Sequence, residues 1–163
     1  MNQPTPGSPL TGFARRFVLG ITSVGGLGYA PFAPGTFGSL GAMPFWWLAA
    51  TLSPIPYLIM TVAVTGLAIW ASNHAEVIYG EHDSGKIVVD EFAGILATGF
   101  LIPQTWEWAL AVFVVFRAFD ILKPPPIRQI DAKLGGGAGV VLDDVVAGIM
   151  ACITLHLAWA VLG

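Results

Sequence analysis

The sequence predicts an all-α integral membrane protein: a compact bundle of about five transmembrane helices, one of them short or partly re-entrant, with an acidic site facing the cytoplasm. Three observations lead there. Charged residues are only 10 % of the chain and mean hydropathy is +0.75, whereas roughly a quarter of a soluble domain is charged. From Phe17 to Ala75, 59 consecutive residues contain no Asp, Glu, Lys or Arg. The acids and bases that do occur gather at the ends of apolar segments rather than spreading over them.

At 163 residues the chain is the size of one domain. Residues 1–12, with three prolines, two glycines and no charged side chain, read as a disordered tail; residues 13–163 read as a single membrane-embedded domain. Arg15 and Arg16 precede an apolar stretch, but it is short and runs into glycines. It therefore reads as mature sequence rather than a cleaved signal. A net charge of −3 and a pI near 5.4 exclude a nucleic-acid partner, which needs a basic face. The single cysteine, Cys152, excludes an intrachain disulfide.

Residues 13–24 suit a short interfacial helix held by two arginines and two phenylalanines. Residues 25–41, rich in glycine with Pro31 and Pro34, read as a loop. Residues 37–53 and 55–73 supply two apolar crossings, separated by Ser53-Pro54-Ile55-Pro56. Residues 88–102 form a third, short one, which reaches only about 22 Å at the helical rise against a hydrocarbon core of about 30 Å. Residues 105–122 and 144–162 complete the five. This arrangement puts Arg15, Arg16, Lys86, Lys123, Arg128 and Lys133 on one side, with Arg117 at its border, and leaves Glu107 opposite. The basic side is then cytoplasmic.

The segments DEFAGILA from Asp90 and DVVAGIMA from Asp144 match at Asp, Ala, Gly, Ile and Ala. In each, the glycine one turn past the aspartate lets a neighbouring backbone approach, so two such helices can bring their acidic ends together. A lone aspartate there reads as a helix cap. A second acid beside each, Glu91 and Asp143, is not explained by capping: crowded carboxylates at a membrane boundary need a cation. Hard oxygen ligands suit Mg²⁺.

Between the acid pairs, FRAFDILKPPPI spaces Arg117, Asp120 and Lys123 three apart near one helix face, either as a salt bridge or as a grip on an anion. The loop EHDSGKIVVDE adds Glu81, His82, Asp83 and Lys86, with His82 a possible general acid. APGTFGSL lacks the lysine of a nucleotide-binding loop. Its Thr36 and Ser39 sit where a helix start can cradle phosphate or simply turn. His74 and His156 read as structural.

GYAPFAPGTFGSL, HDSGKIVVDEFAG, FRAFDILKPPPI and GGGAGVVLDDVVAG, in that order, resemble the phosphatidylglycerophosphatase A family from about Thr22 to Ala151. The resemblance implies a Mg²⁺-dependent phosphatase of the bacterial inner membrane that converts phosphatidylglycerophosphate to phosphatidylglycerol and phosphate at the cytoplasmic face. Its acidic motif residues fall on Asp83, Asp90, Glu91, Asp120, Asp143 and Asp144, and its basic ones on Arg117 and Lys123. Ser84 and Pro125 depart from the family's usual residues. On this reading Asp90, Glu91, Asp120, Asp143 and Asp144 hold metal. Arg117, Lys123, Lys86, Thr36 and Ser39 face the substrate phosphate, and Asp83 or His82 protonates the leaving oxygen. The nucleophile is a metal-activated water or a carboxylate, with the water preferred. The partners implied are the substrate and membrane lipid, with no obligate protein partner. The rival is a cation- or proton-coupled transporter using the same carboxylates, whose site would lie near mid-membrane.

Overall fold

Proline and glycine set the helix boundaries. The computed structural model describes the backbone of residues 10–162; the greater part of the predicted tail, residues 1–9, lies outside the described residues. The described residues form seven α-helices and no strand: α1 (Gly12–Thr22), α2 (Pro34–Ala49), α3 (Pro54–Tyr79), α4 (Asp90–Thr98), α5 (Trp106–Leu122), α6 (Ile127–Lys133) and α7 (Gly136–Leu162). A 3₁₀ turn over Leu27–Tyr29 links α1 to α2. Pro34 and Pro54 open α2 and α3, where a missing amide hydrogen costs nothing and the fixed φ suits the first turn. Gly80, at φ +72°, ends α3. Thr105 caps α5 by accepting the Trp108 amide, and Lys123 leaves it in a left-handed conformation before Pro124.

Two expected boundaries move. The glycine-rich stretch read as a loop is helical from Pro34 onward, because its glycines supply a packing face rather than slack. A Cβ on Gly35 would overlap Glu91, one on Gly38 would crowd Val88, and one on Gly41 would overlap Leu27. The last helix starts at Gly136 rather than Asp144, two turns early. Its start packs on α3: the Gly137 amide donates to Asn73 Oδ1 at 2.7 Å, and a Cβ there would meet the Ile69 and Asn73 backbone.

The third expected crossing becomes α4, nine residues long. At 1.5 Å per residue it rises about 14 Å, less than half the hydrocarbon core, so it does not span. Instead it is enclosed by protein, with Ala93, Gly94, Ile95, Leu96 and Thr98 all buried. A helix that stops inside an apolar interior leaves its last carbonyls without partners. Here Tyr57 O–H donates to Leu96 O at 2.7 Å and Trp46 Nε1 to Gly99 O at 3.0 Å. At its other end, the Val88 and Val89 amides both donate to Thr22 O, at 2.8 and 3.1 Å.

The expected close approach of the two acidic helices is present. A Cβ on Gly148 of α7 would overlap the Gly94 carbonyl of α4 and crowd Ala97; one on Gly94 would overlap the Phe116 ring of α5. Around this contact Trp46, Ile95, Leu96, Val112, Phe116, Ala147 and Ala151 form the main core.

Of the five expected crossings, two helices have the length and apolarity to cross a membrane: Pro54–Tyr79 and Gly136–Val161. The 16 residues of α2 and 17 of α5 rise about 24 and 26 Å. The outward surface is apolar on all four of these helices, with Leu48, Ile59, Val62, Leu110, Ile153 and Leu157 exposed. A water-facing surface would not carry such a belt, and the chain associates with membrane through it.

The glycine contact makes a prediction about stability. Gly148→Val forces backbone apart and is expected to destabilise the detergent-solubilised protein by about 1–3 kcal/mol. Gly66→Ala, on an open side of α3 with nothing within 4 Å, is expected to leave it unchanged or up to about 1 kcal/mol more stable. Thermal unfolding of the two variants side by side checks both.

Candidate active site

Six carboxylates meet around one cavity of about 170 Å³: Asp83, Asp90, Glu91, Asp120, Asp143 and Asp144, with Lys123, Pro34, Gly35 and Val140 completing much of the wall. Four separate pieces of chain deliver them. The 80–89 loop brings Asp83, the first turn of α4 brings Asp90 and Glu91, the end of α5 brings Asp120, and α7 brings Asp143 and Asp144. This is the set that the sequence motifs single out.

Capping does not account for the two aspartates that begin the matched segments. Asp90 is already inside α4, whose cap position is Val89 with no side-chain cap bond, and among the described residues its Oδ1 accepts only the Glu91 amide, at 3.0 Å. Asp144 lies eight residues into α7, about 12 Å from its start and about 27 Å from its far end. Its position is thus toward one end of the helix rather than the middle.

The bases are divided among the acids. Arg117 Nη1 donates to Glu91 Oε1 at 2.6 Å and lies 2.6 Å from Asp120 Oδ2. Ser39, fully buried, donates to the other Glu91 oxygen at 2.5 Å. Glu91, 6 % exposed, therefore has both oxygens engaged. Lys123 Nζ bridges Asp143 Oδ2 at 2.8 Å and Asp131 Oδ1 at 3.0 Å. Burial alone would lower the Lys123 pKa; the hydrogen bonds and charge of Asp143 and Asp131 outweigh it and raise it above the ordinary lysine range. Asp144 is 4 % exposed and opens onto the cavity; its amide donates to Asp143 Oδ1 at 3.0 Å, but its carboxylate makes no hydrogen bond or ion pair among the described residues. Arg117 Nε is buried and also without a partner.

Asp83 stands at the mouth with φ +49°, a left-handed conformation that aspartate tolerates better than most residues. Much of its surface is exposed. Desolvation of its carboxyl by the surrounding protein nevertheless raises it above the usual range, with Lys123 pulling the other way and Asp131 adding to the rise.

Several expected residues do not line the cavity. His82 turns away to pair with Glu76 through Nδ1, on a separate surface hollow with Glu81 and Gly136. Lys86 lies over the Tyr79 ring, 5.0 Å from its centroid. Ser39 is behind Glu91. The expected amide cradle at Thr36 is narrow, because Pro34 has no amide hydrogen and the Thr36 and Phe37 amides both donate to Ala33 O. Arg117 is held behind the wall by its two acids. The sequence reading missed Asp131 and Glu76. Glu76 Oε1 accepts the Asp83 amide at 3.0 Å and so shapes the loop. Its position as the first charged residue after the long uncharged run was the available signal; Asp131 offered none.

Whether this wall suits a metal turns on its donors. Every side-chain ligand is a carboxylate oxygen, which fits a hard divalent cation. The nearly buried carboxylate of Asp144, without a partner, is costly unless a cation answers it. Among the described residues no group of three or more His, Cys, Asp or Glu side chains is gathered closely enough to hold a metal ion as it stands. In donor chemistry the wall suits a hard cation such as Mg²⁺, but its carboxylates are spread around the cavity rather than gathered into a ready-made site.

The phosphatidylglycerophosphatase A family model matches residues 20–159. Phosphatidylglycerophosphatase A of Escherichia coli is 39 % identical over 132 residues, covering 80 % of this chain and 77 % of that protein. The Haemophilus influenzae protein of the same name is 38 % identical over 154 residues, 93 % of this chain and 94 % of its own. A Bacteroides thetaiotaomicron protein with the provisional name phosphatidylinositol-3-phosphatase is 39 % identical over 146 residues, 85 % of this chain and 91 % of its own. No solved structure matches the chain at a significant level.

Ser39→Ala would strand one oxygen of a buried charge. The expected cost is about 1.5–3 kcal/mol, the scale of a hydrogen bond to a charged group, read as a lowered unfolding midpoint in detergent. Thr36→Ala, which removes no such bond, is expected to leave the midpoint in place.

Proposed function

The chain belongs to the phosphatidylglycerophosphatase A family of phosphoric monoester hydrolases, and from that premise we propose that it hydrolyses phosphatidylglycerophosphate to phosphatidylglycerol and phosphate with Mg²⁺ at the cytoplasmic face of the bacterial inner membrane. The observation that carries this reading is the convergence of six carboxylates on one cavity toward the end of the bundle where the lysines and arginines also gather. A lipid phosphomonoester presents its scissile bond at that depth. A transporter site near mid-membrane would not place Asp144 toward one end of α7. The uneven distribution of basic residues favours the cytoplasmic orientation, and the apolar outer faces of α2, α3, α5 and α7 favour a multi-pass arrangement around a buried α4.

Asp90 and Asp144 are the best-placed ligands because neither is paired to a base, with Asp143, Asp120 and Glu91 completing the set. When bound, Mg²⁺ supplies charge neutralisation of the phosphate and acidification of a water. The protein's own groups do the rest. Asp90 or Asp144 takes a proton from the attacking water, whose oxygen forms the new bond to phosphorus as the phosphorus–glycerol oxygen bond breaks. Asp83, its carboxyl kept protonated to higher pH than usual, gives its proton to the departing glycerol oxygen. Lys123 holds Asp143 in place and adds positive charge at the wall. Arg117, with Ser39, fixes Glu91.

Phosphate release from phosphatidylglycerophosphate by the purified protein is expected to require Mg²⁺, to stop with EDTA, and to fall about a hundredfold or more in Asp144→Asn. Release that survives both would remove the metal site. The pH dependence follows from Asp83: the protonated form is the donor, so kcat/KM declines as pH rises through its raised pKa. In Asp83→Asn the rate is expected to be low throughout and that decline absent, as a pH profile of the two proteins would reveal.

A further inference from the structure

The end of α1 supports the acidic site directly. Val88 and Val89, the two residues before Asp90, hang by their amides from one carbonyl, that of Thr22. Thr22 is fully buried, and Val18 beside it packs with Ile87, Val89 and Ala93. The position of Asp90 and Glu91 therefore depends on where α1 lies.

The other face of α1 is largely uncovered among the described residues. Phe13 is 83 % exposed and Phe17 51 %, their rings stacked 6.1 Å apart; Arg16 projects on the same side of the helix, and Arg15, also exposed, projects from the opposite flank near Tyr79. An exposed pair of phenylalanines flanked by two arginines, at the end of the bundle that holds the site, matches the lipid–water boundary of a leaflet with negative headgroups. The charge complementarity selects the occupant: a neutral leaflet would take the rings but leave both guanidinium groups unanswered.

We propose that α1 docks on anionic phospholipid headgroups through Arg15, Arg16, Phe13 and Phe17, and that this docking holds the Thr22 carbonyl where it positions the Asp90–Glu91 turn. The docking surface is separate from the cavity, and none of its four residues lines it. The consequence for the site rests on the hydrolase reading above; the docking itself does not.

The test uses the full chain in phosphatidylcholine vesicles with and without phosphatidylserine, an anionic lipid that is neither substrate nor product. Two quantities are read: amide hydrogen exchange at Val88 and Val89, and kcat/KM for phosphatidylglycerophosphate. Each arginine near an anionic leaflet is worth about a fivefold preference. Phosphatidylserine is accordingly expected to slow exchange at both amides and to raise kcat/KM severalfold. An Arg15→Gln/Arg16→Gln protein is expected to match the unaltered protein in phosphatidylcholine and to show neither response. Arg15→Lys/Arg16→Lys keeps the charge and is expected to keep both. Equal responses in the glutamine protein, or none in the unaltered one, would overturn the proposal. If exchange slows but no vesicle or micelle supports hydrolysis, docking stands and the hydrolase reading fails instead.

Discussion

Everything in this molecule depends on how closely α4 and α7 approach. Gly94 and Gly148 remove the side chains that would hold the helices apart. Without that approach Asp90 and Glu91 would not share a cavity with Asp143 and Asp144. In an apolar setting no hydrophobic force draws one helix to another, so small residues and close backbone packing have to set the geometry. The same logic extends outward. Gly35 and Gly38 let α2 lie against Glu91 and Val88, and Gly137 lets α7 begin against α3. Glycine, used elsewhere for turns, here sets the width of a site.

The arrangement of charge follows from that width. The cavity wall holds more carboxylates than cations, and the two bases nearest it are shared: Arg117 between Glu91 and Asp120, Lys123 between Asp143 and Asp131. A buried pair of this kind stabilises little by itself, but it fixes orientation. Glu91, with both oxygens held, and Asp144, with neither, are chemically different carboxylates although the sequence presents both as one of an adjacent pair. The difference is positional and arises only once α2, α4, α5 and α7 are folded together.

The sequence made the acids legible because charge is conspicuous in a chain with so little of it, and the matched DEFAGILA and DVVAGIMA segments indicated which helices must meet. What it hid were roles set by distance. Ser39 and Arg117 looked like phosphate binders and are engaged with Glu91. Lys86 is drawn to an aromatic ring and His82 to Glu76. The short third segment is shorter still in the fold: of residues 88–102 only Asp90–Thr98 is α4, whose end Tyr57 and Trp46 satisfy. Glycine content hid the start of α2, since a residue that weakens an isolated helix strengthens one that must pack tightly.

The enclosure of α4 gives the two ends of its influence different exposure to salt. Its first turn, carrying Asp90 and Glu91, faces a cavity walled by protein, and its aligned peptides place partial positive charge at that turn. At physiological ionic strength exposed charges are screened over about 8 Å, whereas buried or partly buried charges are screened much less. The arginines of α1 stand outside the cavity, fully within reach of the surrounding electrolyte. Ionic strength therefore separates the two kinds of electrostatics in this protein. The field inside the cavity belongs to the fold and persists, whereas the attraction of its outer helix to a charged leaflet weakens with every increment of salt.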